Sequence, residues 1–162
     1  MVEINKLDEI RWRDFRDLRL DALISDPTAF GSSYEEEAIM TEDEWKRRIK
    51  NVLFAMINDK LVGMIVFIFN NKIKTKHVAN LYGVYVKKEY RRQGIGMNLL
   101  ESALKVIELN GNISKIRLSV NPEQRAAVKL YEKYGFETVG KLLREYNIDN
   151  KFYDELIMEK LL

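Results

Sequence analysis

Cysteine is absent from all 162 residues. That absence removes disulfides, thiolate metal sites and a cysteine nucleophile together, and it fits a reducing compartment. Histidine occurs once, as His77, which leaves no room for a histidine-rich metal site. Glycine (8) and proline (2) are sparse, and the 46% hydrophobic and 32% charged shares are those of an ordinary globular chain. No apolar run is long enough to cross a bilayer, since the longest, Leu61 to Phe69, is only of strand length. The start, Met1-Val2-Glu3-Ile4, lacks a basic region followed by an apolar one, so the expectation is no signal peptide and a cytoplasmic address. Neither charge sign dominates: Lys plus Arg number 27, Asp plus Glu 25, and the net charge is +2. Charge therefore gives no ground for a nucleic-acid or membrane partner.

What is present is periodicity. Val2 to Leu7 alternates like a half-buried strand. Asp8 offers a cap for a helix to about Ser25, with Trp12, Phe15, Leu18 and Ala22 on one face, and Asp26-Pro27 ends it. A loop over 28–40 is expected next, then a capping box at Thr41-Glu42-Asp43-Glu44 opening a helix to about Lys50. Strands Val52 to Ile57 and Leu61 to Phe69 flank a turn at Asn58-Asp59-Lys60, and Val78 to Val86 forms another, where Gly83 marks a bulge or close approach. A helix to about Asn110 carries Ile95, Leu99, Ala103 and Ile107 on its apolar face, with Gly111 as its cap. Ile113 to Val120 is a strand. Asn121-Pro122 reads as cap and first-turn proline of a helix to Tyr134, closed by Gly135. Phe136 to Ile148 and Phe152 to Leu161 are the closing strands. Repeats and linkers are lacking, so one domain over 1–162 is expected. Its class is mixed α/β, a mostly antiparallel twisted sheet of about seven strands with about four helices on both faces.

The chemistry concentrates at Arg91-Arg92-Gln93-Gly94-Ile95-Gly96. A glycine-containing turn from strand into helix offers backbone N–H groups at the positive end of the helix, a site for phosphate. Two arginines add forked donors. A nucleotide P-loop string does not occur, and the third glycine of a dinucleotide fingerprint is replaced by Leu99. The plain alternative is a capped helix beside two solvated arginines.

The surrounding residues narrow the choice. Leu81-Tyr82-Gly83-Val84-Tyr85-Val86, then Arg91, Gly94 and Gly96, then Ala127, Tyr131, Gly135 and Phe136 at their spacing, resemble the GNAT superfamily of acyl-CoA-dependent N-acetyltransferases. The resemblance covers nearly the whole chain, most firmly Val78 to Phe136. It implies an acetyltransferase with acetyl-CoA as cosubstrate. The acetyl group would pass directly to a small-molecule or peptide amine. The leading reading is a small-molecule amine. The alternatives are a protein N-terminus or lysine and, in another class, a non-catalytic acyl-CoA-binding or sensor module. Dimers are common in that family, and no residue here singles one out.

The resemblance assigns roles residue by residue. Arg91, Arg92, Gln93, Gly94, Ile95, Gly96 and Met97 would hold the pyrophosphate. The backbone of Val84, Tyr85 and Val86 would face the pantetheine arm and the thioester oxygen. Gln124 stands where the family has Asn, which alters that contact. Tyr131 would be the catalytic residue, stabilising the leaving thiolate; its alternative is a tyrosine packing a helix on the sheet. Phe30, Tyr34 and Glu35 would line the acceptor site, and Phe30 and Tyr34 read equally well as core. No base is assigned: Asn80 stands where many members have Glu. That leaves Glu35, Glu36, Glu37, Asp154 and His77, with a solvated helix face as the alternative for the Glu run and a surface residue for His77.

Overall fold

The structure, a computed structural model, describes residues 1–162. Contacts divide the chain into two compact units, Met1–Phe67 with Gly83–Val106, and Ile68–Tyr82 with Ile107–Leu162.

In the first unit, β1 (Glu3–Asn5), β2 (Val52–Ile57) and β3 (Lys60–Phe69) pair antiparallel. The turn between β2 and β3 has positive φ at both Asn58 (49°) and Asp59 (62°). That is the twist-matching hairpin turn, and Asn and Asp tolerate it best among residues with a side chain. Asp8 caps a short 3-10 turn, Glu9–Arg11, that leads into α1 (Trp12–Ser25). The apolar face read from spacing is the one buried: Trp12, Phe15, Leu18 and Ala22 join Trp45, Phe54 and Met64 in one core. Phe15 meets Trp45 and Phe54 edge to face at 5.3 and 5.5 Å between ring centroids.

The stretch read as a loop over 28–40 is corrected. It holds a helix, α2 (Tyr34–Ala38). Ser33 and Glu36 form a reciprocal capping box at its start, Ser33 N donating to Glu36 Oε2 at 2.8 Å. The next helix, α3 (Glu42–Ile49), starts on the expected Thr41–Glu44 box.

In the second unit, the first half of β4 (Val78–Val86) pairs in parallel with β5 (Lys115–Val120), in register from Val78–Lys115 to Leu81–Leu118. β7 (Lys151–Leu161) lies antiparallel to β5 and to β6 (Glu137–Ile148). A second hairpin turn with two positive φ values, Asp149 (50°) and Asn150 (63°), joins β6 to β7. The helix expected from Asn121-Pro122 begins later, as α5 (Arg125–Lys133). The Asn121 side chain accepts from the Glu123 amide at 2.8 Å, and its carbonyl accepts from Gln124 N at 2.9 Å. Asn121 thus closes a turn ahead of the helix instead of capping it.

β3 and β4 run through both units, and the hydrogen-bonded order is β1-β2-β3-β4-β5-β7-β6. The class is mixed α/β, with the seven strands expected and five α-helices where about four were expected, α2 being the addition. No helix is long and apolar enough to cross a membrane.

Candidate functional site

The last part of β4 is shaped by Gly83. Its φ is +57°, and a Cβ there would lie 3.1 Å from Arg19 Nη1 and 3.3 Å from a Val66 methyl. The positive φ favours glycine and the close contacts add to it, which accounts for the irregularity expected in this strand. Val84, Tyr85 and Val86 follow, past the last registered β4–β5 pair. The Tyr85 side chain is buried, and its hydroxyl donates to Asp21 Oδ2 at 2.8 Å. Burial pushes its pKa up to about 12, the Asp21 carboxylate adding to the rise. That phenol is engaged with Asp21.

After β4 the chain turns into α4 (Ile95–Leu109). Arg91 Nε donates to the Val86 carbonyl at 2.8 Å, and Nη2 donates to the Asp26 carboxylate. Two arms of the fork therefore tie the turn to the end of β4 and the end of α1, where a cation also suits the helix dipole. Arg92 is exposed, with φ of +63°. Gln93 and Gly94 are exposed too, and Gly94 has φ of +77°. Asn98 N donates to Gly94 O at 3.0 Å, the first bond of α4. The amides of Ile95, Gly96 and Met97 precede it and point out of the helix start. Ile95, Leu99, Ala103 and Ile107 are buried and hold the helix in place.

Gly94 and Gly96 differ in kind. Gly94 is required by its positive φ. Gly96 has no such φ, and a Cβ there would meet only a Val86 methyl at 3.9 Å, an ordinary contact. The chain's own packing leaves room for a side chain at 96, so the first turn of α4 is open on that side.

Three positions read as acceptor-side candidates differ in burial. Phe30 is buried in the core, 4.7 Å beneath the Arg19 guanidinium and 6.4 Å from the Tyr85 ring. Tyr34 and Glu35 are exposed on the first turn of α2. The solvated-face reading of the Glu run is corrected at Glu37, which is only 3% exposed. Arg19 Nη2 and Nε donate to its two oxygens at 2.8 and 2.9 Å, and Arg48 Nη2 donates at 3.1 Å. Burial pushes the Glu37 carboxyl up, but the hydrogen bonds from Arg19 and Arg48 outweigh it and carry the pKa down to about 2. Sequence reasoning passed over Arg19. The available signal was a charged residue four positions after Phe15, on the side of α1 that is otherwise apolar.

In the second unit, Tyr131 sits in the last turn of α5, which stops in a Schellman motif. Phe136 N donates to Tyr131 O at 3.1 Å and Gly135 N to Glu132 O at 3.0 Å, with Gly135 at φ +83°. Burial pushes the Tyr131 phenol up to about 12. Gln124 is the residue before α5, and its carbonyl accepts from Ala127 N at 3.0 Å and Val128 N at 3.1 Å.

The remaining base candidates are occupied or peripheral. Asn80 Nδ2 donates to Asn70 Oδ1 at 2.9 Å. His77 is exposed. Asp154 accepts from the Arg144 amide and from Lys141 Nζ, both at 2.9 Å, which hold its carboxyl below the usual range. No three His, Cys, Asp or Glu side chains gather to hold a metal ion.

Comparison with known proteins adds a family. The sequence model described as the acetyltransferase (GNAT) family matches residues 4–136. An N-alpha-acetyltransferase of Sulfurisphaera tokodaii is 35% identical over 79 residues, 49% of this chain and 45% of that protein. An L-amino acid N-acetyltransferase of Escherichia coli is 26% identical over 101 residues, 59% of this chain and 62% of that protein. The chain thus spans about half to three-fifths of the length of these curated relatives. Among solved structures, a GNAT-family acetyltransferase from Streptococcus pneumoniae superposes with a TM-score of 0.88 at 26% identity, covering 100% of both chains.

Proposed function

The chain belongs to the GNAT acetyltransferase family, and on that premise we propose that it transfers an acetyl group from acetyl-CoA to a primary amine by direct attack. The observation that carries this reading is Gly96, a glycine that the chain's own packing does not require, at a helix start beside an exposed arginine. A pyrophosphate approaching the amides at the start of α4 would pass a residue that has no side chain to obstruct it. Arg92 and Gln93 flank the approach. Arg91 holds the turn in shape, its fork already shared between Val86 and Asp26. The working unit is the single domain 1–162, and its proposed compartment is the cytoplasm.

Acetyl-CoA supplies an activated acetyl thioester. In the proposed reaction the acceptor ammonium first gives a proton to solvent, the free amine nitrogen attacks the carbonyl carbon, the C–S bond breaks, and sulfur leaves as thiolate, which takes the second proton shed by nitrogen. The backbone N–H groups of Val84, Tyr85 and Val86 are the proposed partners of the pantetheine amides and the carbonyl oxygen. Tyr131 is the proposed partner of the thiolate. With its pKa near 12 against about 8.5 for a thiol, the phenol keeps its proton and acts as a hydrogen-bond donor.

The acceptor is a small-molecule or peptide amine. The relatives' names favour an α-amino group, on a free amino acid or on a polypeptide N-terminus. Thiol release from acetyl-CoA, followed with a panel of amino acids, diamines and short peptides with free N-termini, tests the proposal. Turnover on at least one amine is expected. CoA binding without turnover on any of them would instead mark a silent acyl-CoA-binding module.

A further inference from the structure

Three carboxylates on β7 are half-buried: Asp154, Glu155 and Glu159. Two are matched by cations. Asp154 pairs with Lys141 at 2.9 Å, and Glu159 pairs with Lys115 and Arg117 at 2.7 and 2.9 Å. Glu155 is not. Its one partner is the neutral Tyr146 hydroxyl, which donates to Oε1 at 2.9 Å. Other cations of the hairpin are engaged elsewhere, Arg144 over Phe152 and Lys151 beside Glu123. A half-buried carboxylate is costly without a cation, and the other two on this strand follow that rule.

The register shows what surrounds it. Glu155 is opposite Leu142, Ile157 is opposite Gly140, and Tyr153 is opposite Tyr146. Opposed residues and alternate residues along a strand share a face. Ser119, opposite Ile157 on β5, extends that face. The face is open: Leu142 is 40% exposed, Ser119 is exposed, and a Cβ on Gly140 would meet nothing within 4 Å. Burial, and then the Glu155 carboxylate, push the Tyr146 phenol up, so it keeps its proton and stays a donor. One carboxylate oxygen is thus oriented by Tyr146, and the other accepts nothing from the chain.

We propose that Glu155, oriented by Tyr146, is the counter-charge that receives the ammonium group of the acceptor amine. This rests on the acetyl-transfer reading above. It names a specificity-determining residue that selects cationic acceptors, and a charge of this kind acts mainly on binding.

Glu155→Gln separates this role from a structural one, because the amide oxygen still accepts the Tyr146 hydroxyl while the charge is lost. Calorimetry with CoA-loaded protein would use phenethylamine, putrescine and trialanine with a free N-terminus as probes, and phenethyl alcohol as the uncharged control. Binding of at least one amine should weaken about tenfold or more in Glu155→Gln and a few-fold in Tyr146→Phe, with melting temperatures near wild type. The alcohol should not distinguish the proteins. Equal amine binding by wild type and Glu155→Gln, or binding of none of the three by wild type, would overturn the assignment. Wild type that binds amines but releases no thiol would instead defeat the acetyl-transfer reading alone. For any amine that is turned over, KM should rise while kcat changes little.

Discussion

The amide of Phe136 donates to the carbonyl of Tyr131, and the two rings meet at 5.9 Å, 65° apart. Part of the signature Ala127, Tyr131, Gly135, Phe136 is therefore a helix stop. Gly135 supplies the left-handed residue, and Phe136 packs back on the turn that presents Tyr131. Gly135→Ala should cost about 1–2 kcal/mol through its positive φ, read as a lower melting temperature. It should also lower turnover, because the same motif holds Tyr131.

Tyr131→Phe keeps the ring and its packing on Phe136. The expected result is a melting temperature near wild type with kcat reduced by about a hundredfold, the low end of the range for loss of one donor to developing charge. Equal turnover across pH with an intact fold would remove Tyr131 from the reaction.

Gly94, ahead of α4, and Gly96, in its first turn, should respond differently. Gly94→Ala strains a residue at φ +77° and should destabilise the fold by about 1 kcal/mol. Gly96→Ala places a methyl where the chain itself has room. Its melting temperature should hold while the Kd for CoA rises. Thermal melts with CoA titration measure both effects.

Arg91 and Arg92 should also separate. Arg91→Ala cuts the ties to Val86 and Asp26 and should lower stability as well as CoA affinity. Arg92→Ala should leave stability unchanged and weaken CoA binding. The loss should shrink as salt rises, since an exposed charge is screened. Affinity measured at low and high ionic strength checks this.

Glu37 sets an acid limit. Its folded pKa of about 2 lies below the ordinary carboxyl value of 4.5, so its contribution is fully present above pH 4.5 and is lost as pH falls toward 2. Denaturant melts across that window should show stability falling in wild type. Glu37→Gln should show a shallower fall. At neutral pH it should cost about 3–5 kcal/mol, because it leaves Arg19 buried without its counter-charge.

The sequence by itself determined what depends on near neighbours. The Thr41–Glu44 capping box and the Asn58-Asp59 turn are satisfied within one turn of chain, and the apolar spacing of Trp12, Phe15, Leu18 and Ala22 repeats within one helix, so these patterns are legible in order. The Ser33–Glu36 box was equally local and was still passed over, because the loop around it carried no apolar period. Gly94 and Gly96, with Tyr131, Gly135 and Phe136, were legible as a family signature, though not as a backbone-required glycine, a glycine the chain does not require, and a helix stop. Only the tertiary structure decided the long-range partners. Arg91 meets Asp26 from 65 residues away, and Arg19 meets Glu37 from 18. Tyr146 reaches Glu155 because the two-residue turn at Asp149-Asn150 sets the β6–β7 register. A charged side chain reads the same in sequence whether it is solvated, paired or left for a ligand. The difference lies in desolvation and in which cation stands within hydrogen-bond reach, and those are properties of the folded arrangement.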